Sequence, residues 1–133
     1  MNNLAEKLNL LVVDTETGGF EPQTHSILSI GMVVANCNEI VDSIEINIKE
    51  ENIIADKESL QVNKIDIDEH VKTAISPAET IEEINKFTQK QKNLIRDDLG
   101  RVVIAGHNIF FDIDFMRRLY RLGNSDYRKY FSY

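Results

Sequence analysis

The stretch Leu10-Leu11-Val12-Val13-Asp14-Thr15-Glu16-Thr17-Gly18-Gly19 decides how this chain is read. Four apolar residues run into two carboxylates at i and i+2, and then into a glycine pair. The apolar run predicts a strand buried on both faces, of the kind found inside an α/β sheet. Successive strand side chains alternate, so Asp14 and Glu16 project from one face at the strand's end. Two acids at the rim of a core are costly unless something neutralises them. A hard divalent cation does so, because Mg2+ and Mn2+ prefer carboxylate and water oxygens. A strand ending in ordinary polar turn residues would carry the same letters.

Working outward, Ile27 to Ala35 predicts a second apolar strand, and Asn36-Cys37-Asn38-Glu39 a hairpin turn in which Asn tolerates positive φ. Ile44, Ile46 and Ile48 alternate with polar residues, the mark of a half-exposed antiparallel strand. Ser76-Pro77-Ala78-Glu79 is a capping box with proline at the first helical position, followed by Ile81, Ile84 and Phe87 at helical spacing. Arg101 to Ala105 predicts another buried strand. Asn108 is placed to cap a helix with Phe111, Phe115, Leu119 and Leu122 on one stripe, stopped by Gly123. The expected order is β-β-β-α-β-α, an α/β architecture, with no further complete element after Gly123. Asp112 precedes Phe115 and Met116 by three and four residues and so shares the helix's buried flank. That makes it a third candidate metal ligand beside Asp14 and Glu16, while Asp114 points to solvent. Phe111 reads as core rather than as a stacking platform, and His70 as a surface residue.

With 133 residues, 42% apolar and 28% charged, the chain has the size and balance of one globular domain. No apolar run is long enough to span a bilayer, and residues 1–7 lack the basic and apolar regions of a signal peptide. A single cysteine, Cys37, excludes an internal disulfide framework and a cysteine zinc cage. The expectation is a cytoplasmic protein with no membrane partner. The net charge is −7, unfavourable for generic polyanion binding, but it is uneven. Residues 1–100 hold nine Lys and Arg against nineteen Asp and Glu, whereas residues 101–133 hold six against three. Arg117, Arg118, Arg121, Arg128 and Lys129 supply most of that excess, either as a solvated helix face or as a phosphate-facing patch.

Taken together, Asp14 to Gly19 and Gly106-His107-Asn108-Ile109-Phe110-Phe111-Asp112 resemble the motifs of the DnaQ-like 3′→5′ exonucleases of the DEDD type. That group includes the proofreading epsilon subunit of DNA polymerase III, ribonuclease T and oligoribonuclease. The first motif is Asp-x-Glu-Thr-x-Gly after a buried strand. The second is Gly-His-Asn followed by Phe-Asp, continued here by Phe115-Met116. The resemblance runs from Leu10 to about Gly123, with Ser29 where the family often has an acid.

The resemblance implies a ribonuclease H-like mixed sheet and two-metal phosphodiester hydrolysis at a nucleic-acid 3′ end, with Mg2+ or Mn2+ as cofactor. It casts Asp14, Glu16 and Asp112 as converging catalytic and metal-binding acids. Thr17, Gly18 and Phe20 would cradle the terminal nucleotide, and Asn108 would steer its neighbour. Two cations roughly 4 Å apart clamp the attacking and leaving oxygens in such a reaction. Arg117, Arg118 and Arg121 would supply distant phosphate contacts. The partner is a single-stranded DNA or RNA 3′ end; association with a DNA polymerase or as a homodimer is left open. The family's third motif, a histidine with an acid five residues later on a C-terminal helix, has no counterpart: the histidines are His25, His70 and His107, and His107 belongs to the second motif. Residues 1–133 are therefore expected to be a single, incomplete exonuclease domain lacking its C-terminal part and inactive alone. The other reading is a non-catalytic nucleic-acid-binding or protein-interaction module of the same fold.

Overall fold

The computed structural model describes residues 8–132, so the reading of residues 1–7 lies outside the described residues. In chain order the elements are β1 (Leu10–Thr17), β2 (Ile27–Ala35), β3 (Ile40–Asn47), α1 (Lys57–Asn63), α2 (Ile67–His70), α3 (Pro77–Lys90), β4 (Ile104–Ala105), α4 (Ile109–Leu122) and α5 (Tyr127–Tyr130). The strands form one mixed sheet in the order β3-β2-β1-β4, with β1, β2 and β3 antiparallel and β4 parallel to β1. This is the expected α/β architecture with three short helices added. No helix among the described residues is long and apolar enough to cross a membrane.

Helix α3 begins where its letters say it does. Ser76 accepts from the Glu79 N–H, Glu79 reaches back to the Ser76 N–H, and Ile81, Ile84 and Phe87 are buried. Helix α4 buries Asp112, Phe115, Met116 and Leu119 on one flank. Both helices share a core with Leu11 and Val13 of β1 and with Ile30, Met32 and Val34 of β2.

Several expectations are corrected. β1 is buried on one face only: Leu11, Val13 and Thr15 point inward, while Leu10, Val12 and Asp14 are exposed. The core helices pack on one side of the sheet, and a run of apolar letters does not reveal how many faces are covered. The predicted strand 101–105 pairs with β1 only at Ile104 and Ala105. Leu122 is exposed, so the α4 stripe ends at Leu119. The turn after β2 uses no positive φ; the Asn36 side chain accepts from the Asn38 and Glu39 N–H groups instead. His70 is buried, its Nε2 lying 2.9 Å from the Ile48 carbonyl oxygen.

The segment after Gly123 is organised rather than featureless. Helix α5 starts on Asp126, whose side chain accepts from the Arg128 N–H. Phe131 is fully buried against Tyr120 and Tyr127. Val102 donates to the Tyr130 carbonyl at 2.8 Å and accepts from the Ser132 N–H at 2.7 Å, a parallel bridge beside β4. Residues 127–132 thus cover apolar surface beside Val102, where the sequence predicts no further complete element.

Candidate active site

The candidate site lies where β1 ends, with α4 starting beside it. A register shift falls between Glu16 and Thr17, where β2 carries one extra residue, Leu28, next to the second acid. Such bulges re-aim side chains. Asp14 is exposed and Glu16 is half-buried on the same face of the sheet. Thr15, between them, points the other way and reaches α4. Its N–H and its hydroxyl both donate to Asp112 Oδ1, at 2.9 and 2.6 Å. Asp112 is buried, with one carboxylate oxygen committed to holding strand and helix together.

The electrostatics join these groups into one site. Burial holds Glu16 above the usual carboxylate range, and the charges of Asp14, Asp112 and Glu45 add to it. Burial raises Asp112 as well; the Thr15 hydrogen bonds oppose this and the Asp14 charge adds to it. Glu45 is the acid the sequence reading misses. Asp14 pairs with Gly31 and Gly31 with Glu45, so the two carboxylates share a row across three strands with only a glycine between them. Nothing short of the strand register reveals that alignment. Among the described residues no three His, Cys, Asp or Glu side chains form a group that could hold a metal ion, so the acids adjoin without converging as expected. Mutual repulsion keeps unneutralised carboxylates apart. Carboxylate oxygens are the donor type that a hard divalent cation takes.

These shifts have a sign that can be tested. Folded Glu16 binds its proton more tightly than unfolded Glu16, so stability falls as the pH rises from the ordinary glutamate value of 4.5 through the higher folded one. In metal-free buffer Glu16→Gln is expected to raise Tm at neutral pH. That gain should vanish below the ordinary glutamate range, where both side chains are neutral. A lower Tm at neutral pH would mean that the Glu16 charge stabilises the fold.

Beside the acids is a cleft of about 250 Å³ lined by Thr15, Glu16, Thr17, Gly19 and Phe20, by Phe111 of α4, and by one side of α1. Phe20 is 79% exposed and meets Phe111 edge-on at 6.4 Å. Phe111 also packs on Phe115, so it serves both core and cleft. The loop after β1 is tied to the segment before α1. The Gly18 N–H donates to Ser26 O, the Asp56 N–H donates to Gly18 O, and Asn63 Nδ2 donates to Thr17 O. A Cβ on Gly18 would collide with the Ile54 carbonyl, which is why glycine stands there.

The expected cradle residues are therefore placed unequally. Thr17 and Phe20 line the cleft. Both Gly18 backbone groups are spent within the protein. Asn108 is exposed in a left-handed conformation at the start of α4 and makes no side-chain cap, which corrects the expected capping bond. Of the three arginines expected to face phosphate, Arg118 is buried in an ion pair with Glu50 and Arg117 lies over the Tyr127 ring. Arg121 is exposed.

An acid-tipped central strand, a buried helix aspartate beside it and an adjoining aromatic cleft define a nuclease-like α/β domain. An exonuclease family model matches residues 11–131. The chain belongs to this DnaQ-like, DEDD-type exonuclease family. It is 33% identical to ribonuclease T of Vibrio campbellii over 113 residues, covering 80% of this chain and 52% of that protein. Ribonuclease T of Blochmanniella pennsylvanica is 29% identical over 112 residues, covering 80% and 51%. The chain spans about half the length of the curated relatives it matches. Among solved structures, the zinc-bound Escherichia coli exonuclease I–ssDNA complex superposes with a TM-score of 0.73 at 15% identity, over 90% of this chain and 24% of that one. Exonuclease I from Methylocaldum szegediense superposes with a TM-score of 0.65 at 19% identity, over 86% and 24%. These structures are similar in fold.

Proposed function

We propose that the protein is a metal-dependent 3′→5′ exonuclease that hydrolyses phosphodiester bonds at the 3′ end of single-stranded nucleic acid. Asp14, Glu16 and Asp112 act as its metal-binding acids. The observation that carries this reading is the tie of buried Asp112 on α4 to Thr15, between Asp14 and Glu16 on β1, with Glu16 lining the Phe20–Phe111 cleft. Asp14, Glu16 and Asp112 would hold Mg2+ or Mn2+, which would supply charge stabilisation to the attacking and leaving oxygens. Thr15 orients Asp112 through Oδ1 and leaves Oδ2 for the site. Phe20 and Phe111 offer apolar ring surface to the terminal base, and ring stacking tolerates any base. The matched relatives are named ribonuclease T, and the Escherichia coli exonuclease I structure is a complex with ssDNA; both support nucleic acid as the substrate class. Residues 1–133 contribute the first two of the family's three motifs to one exonuclease domain. By themselves they are proposed to bind a 3′ terminus and turn it over far more slowly than the full-length protein, because no histidine follows the second motif.

The test is a 5′-labelled oligonucleotide, DNA and RNA in turn, incubated with the full-length protein. A ladder shortening from the 3′ end with Mg2+ or Mn2+, and none with EDTA or a blocked 3′ end, is expected. Cleavage in EDTA or from the 5′ end would overturn the reading. Tight binding without shortening would identify a non-catalytic module.

A further inference from the structure

Arg118 leaves α4 six residues after Asp112 and is buried, as is its partner Glu50. The guanidinium uses all three nitrogens. Nε donates to Glu50 Oε2 at 2.9 Å, Nη2 to Glu50 Oε1 at 2.7 Å, and Nη1 to the Pro22 carbonyl at 3.0 Å. Glu50 Oε2 also accepts from the Ile27 N–H at 2.9 Å. One planar fork thus joins α4, the stretch after β3, the first residue of β2 and the loop between β1 and β2.

That loop carries Phe20, two residues before Pro22. Much of it closes on itself: Thr24 and His25 both donate to the Glu21 carbonyl, and the Glu21 N–H donates to His25 Nδ1. Its ties through Gly18 and Ser26, and the contact between His25 and Asp56, run to the segment 54–56 and not to α4. The Arg118–Pro22 bond ties the loop to α4 seven residues along the helix from Phe111, whose ring meets Phe20 of the same loop. A buried ion pair is weak evidence for stability, since apolar residues of similar volume often serve as well. What the arginine fork supplies and an apolar pair does not is a fixed direction for three donors.

We propose that Arg118 is a positioning residue that sets the spacing of Phe20 and Phe111, and through it the seat of the substrate's terminal base. The base-seating step rests on the exonuclease reading above; the spacing step does not. Arg118→Lys keeps the charge beside Glu50 and loses the fork. In this chain it is expected to weaken the nuclear Overhauser contact between the Phe20 and Phe111 rings and to speed amide exchange around Phe20. In the full-length protein, KM for a short oligonucleotide should rise about tenfold, the scale of one lost charge-assisted hydrogen bond. kcat should stay within about twofold, because a contact that only seats substrate leaves the chemical step alone. The double variant Arg118→Met/Glu50→Gln removes both charges together and keeps an acceptor for Ile27, and should give the same pattern if the lysine variant unfolds. A folded variant with the ring contact or KM unchanged overturns the proposal, as does a fall in kcat at constant KM. Failure of both variants to fold overturns it as well and makes Arg118 a folding residue. A wild-type protein without 3′-end activity would instead refute the exonuclease reading, while the ring contact would still decide the spacing.

Discussion

Asp14→Asn in the full-length protein is expected to cut 3′-end hydrolysis by more than about a hundredfold, the loss that follows removal of a single preorganised electrostatic contact. The fold should not suffer. Asp14 is exposed within β1, and its charge raises both Glu16 and Asp112. Asparagine keeps the shape and removes that repulsion, so Tm in metal-free buffer should hold or rise while activity falls. The two readouts moving in opposite directions distinguish a site residue from a structural one. Single-turnover rates and thermal unfolding of the same preparation measure both. Activity within tenfold of wild type would remove Asp14 from the proposed metal-binding acids.

Phe131→Ala is expected to cost about 3–5 kcal/mol, the usual range for emptying a buried aromatic site. Domains of this kind are stable by only about 5–15 kcal/mol, so the loss is a large fraction of the whole. The ring is fully buried, stacks on Tyr127 at 5.3 Å and meets Tyr120 edge-on at 5.8 Å. The backbone on either side pairs with Val102. Urea denaturation of the 133-residue chain checks this, with the half-buried Tyr130→Ala as a milder control. A cost below about 1 kcal/mol, the scale of a surface substitution, would show that the tail does not belong to the core.

The sequence by itself determined those parts of the molecule whose cause is local. The start of α3 follows from Ser76, Pro77 and Glu79, because a capping box is satisfied within one turn. The burial of Asp112 with Phe115, Met116 and Leu119 follows from helical periodicity. Asp14 and Glu16 share a face because strand side chains alternate. Tertiary structure alone decided the rest, since it depends on which distant segments meet. Thr15 holds Asp112 across 97 residues of chain, and Arg118 holds Glu50 across 68. An arginine read as phosphate-facing becomes a buried clamp because a carboxylate and the Pro22 carbonyl happen to converge on it. Glu45 joins the acidic row only through the register of β2 against β3, with Gly31 as the gap. The open face of β1 and the burial of Phe131 depend on where the helices and the tail pack. Periodicity specifies which side of an element is apolar, but not what covers it.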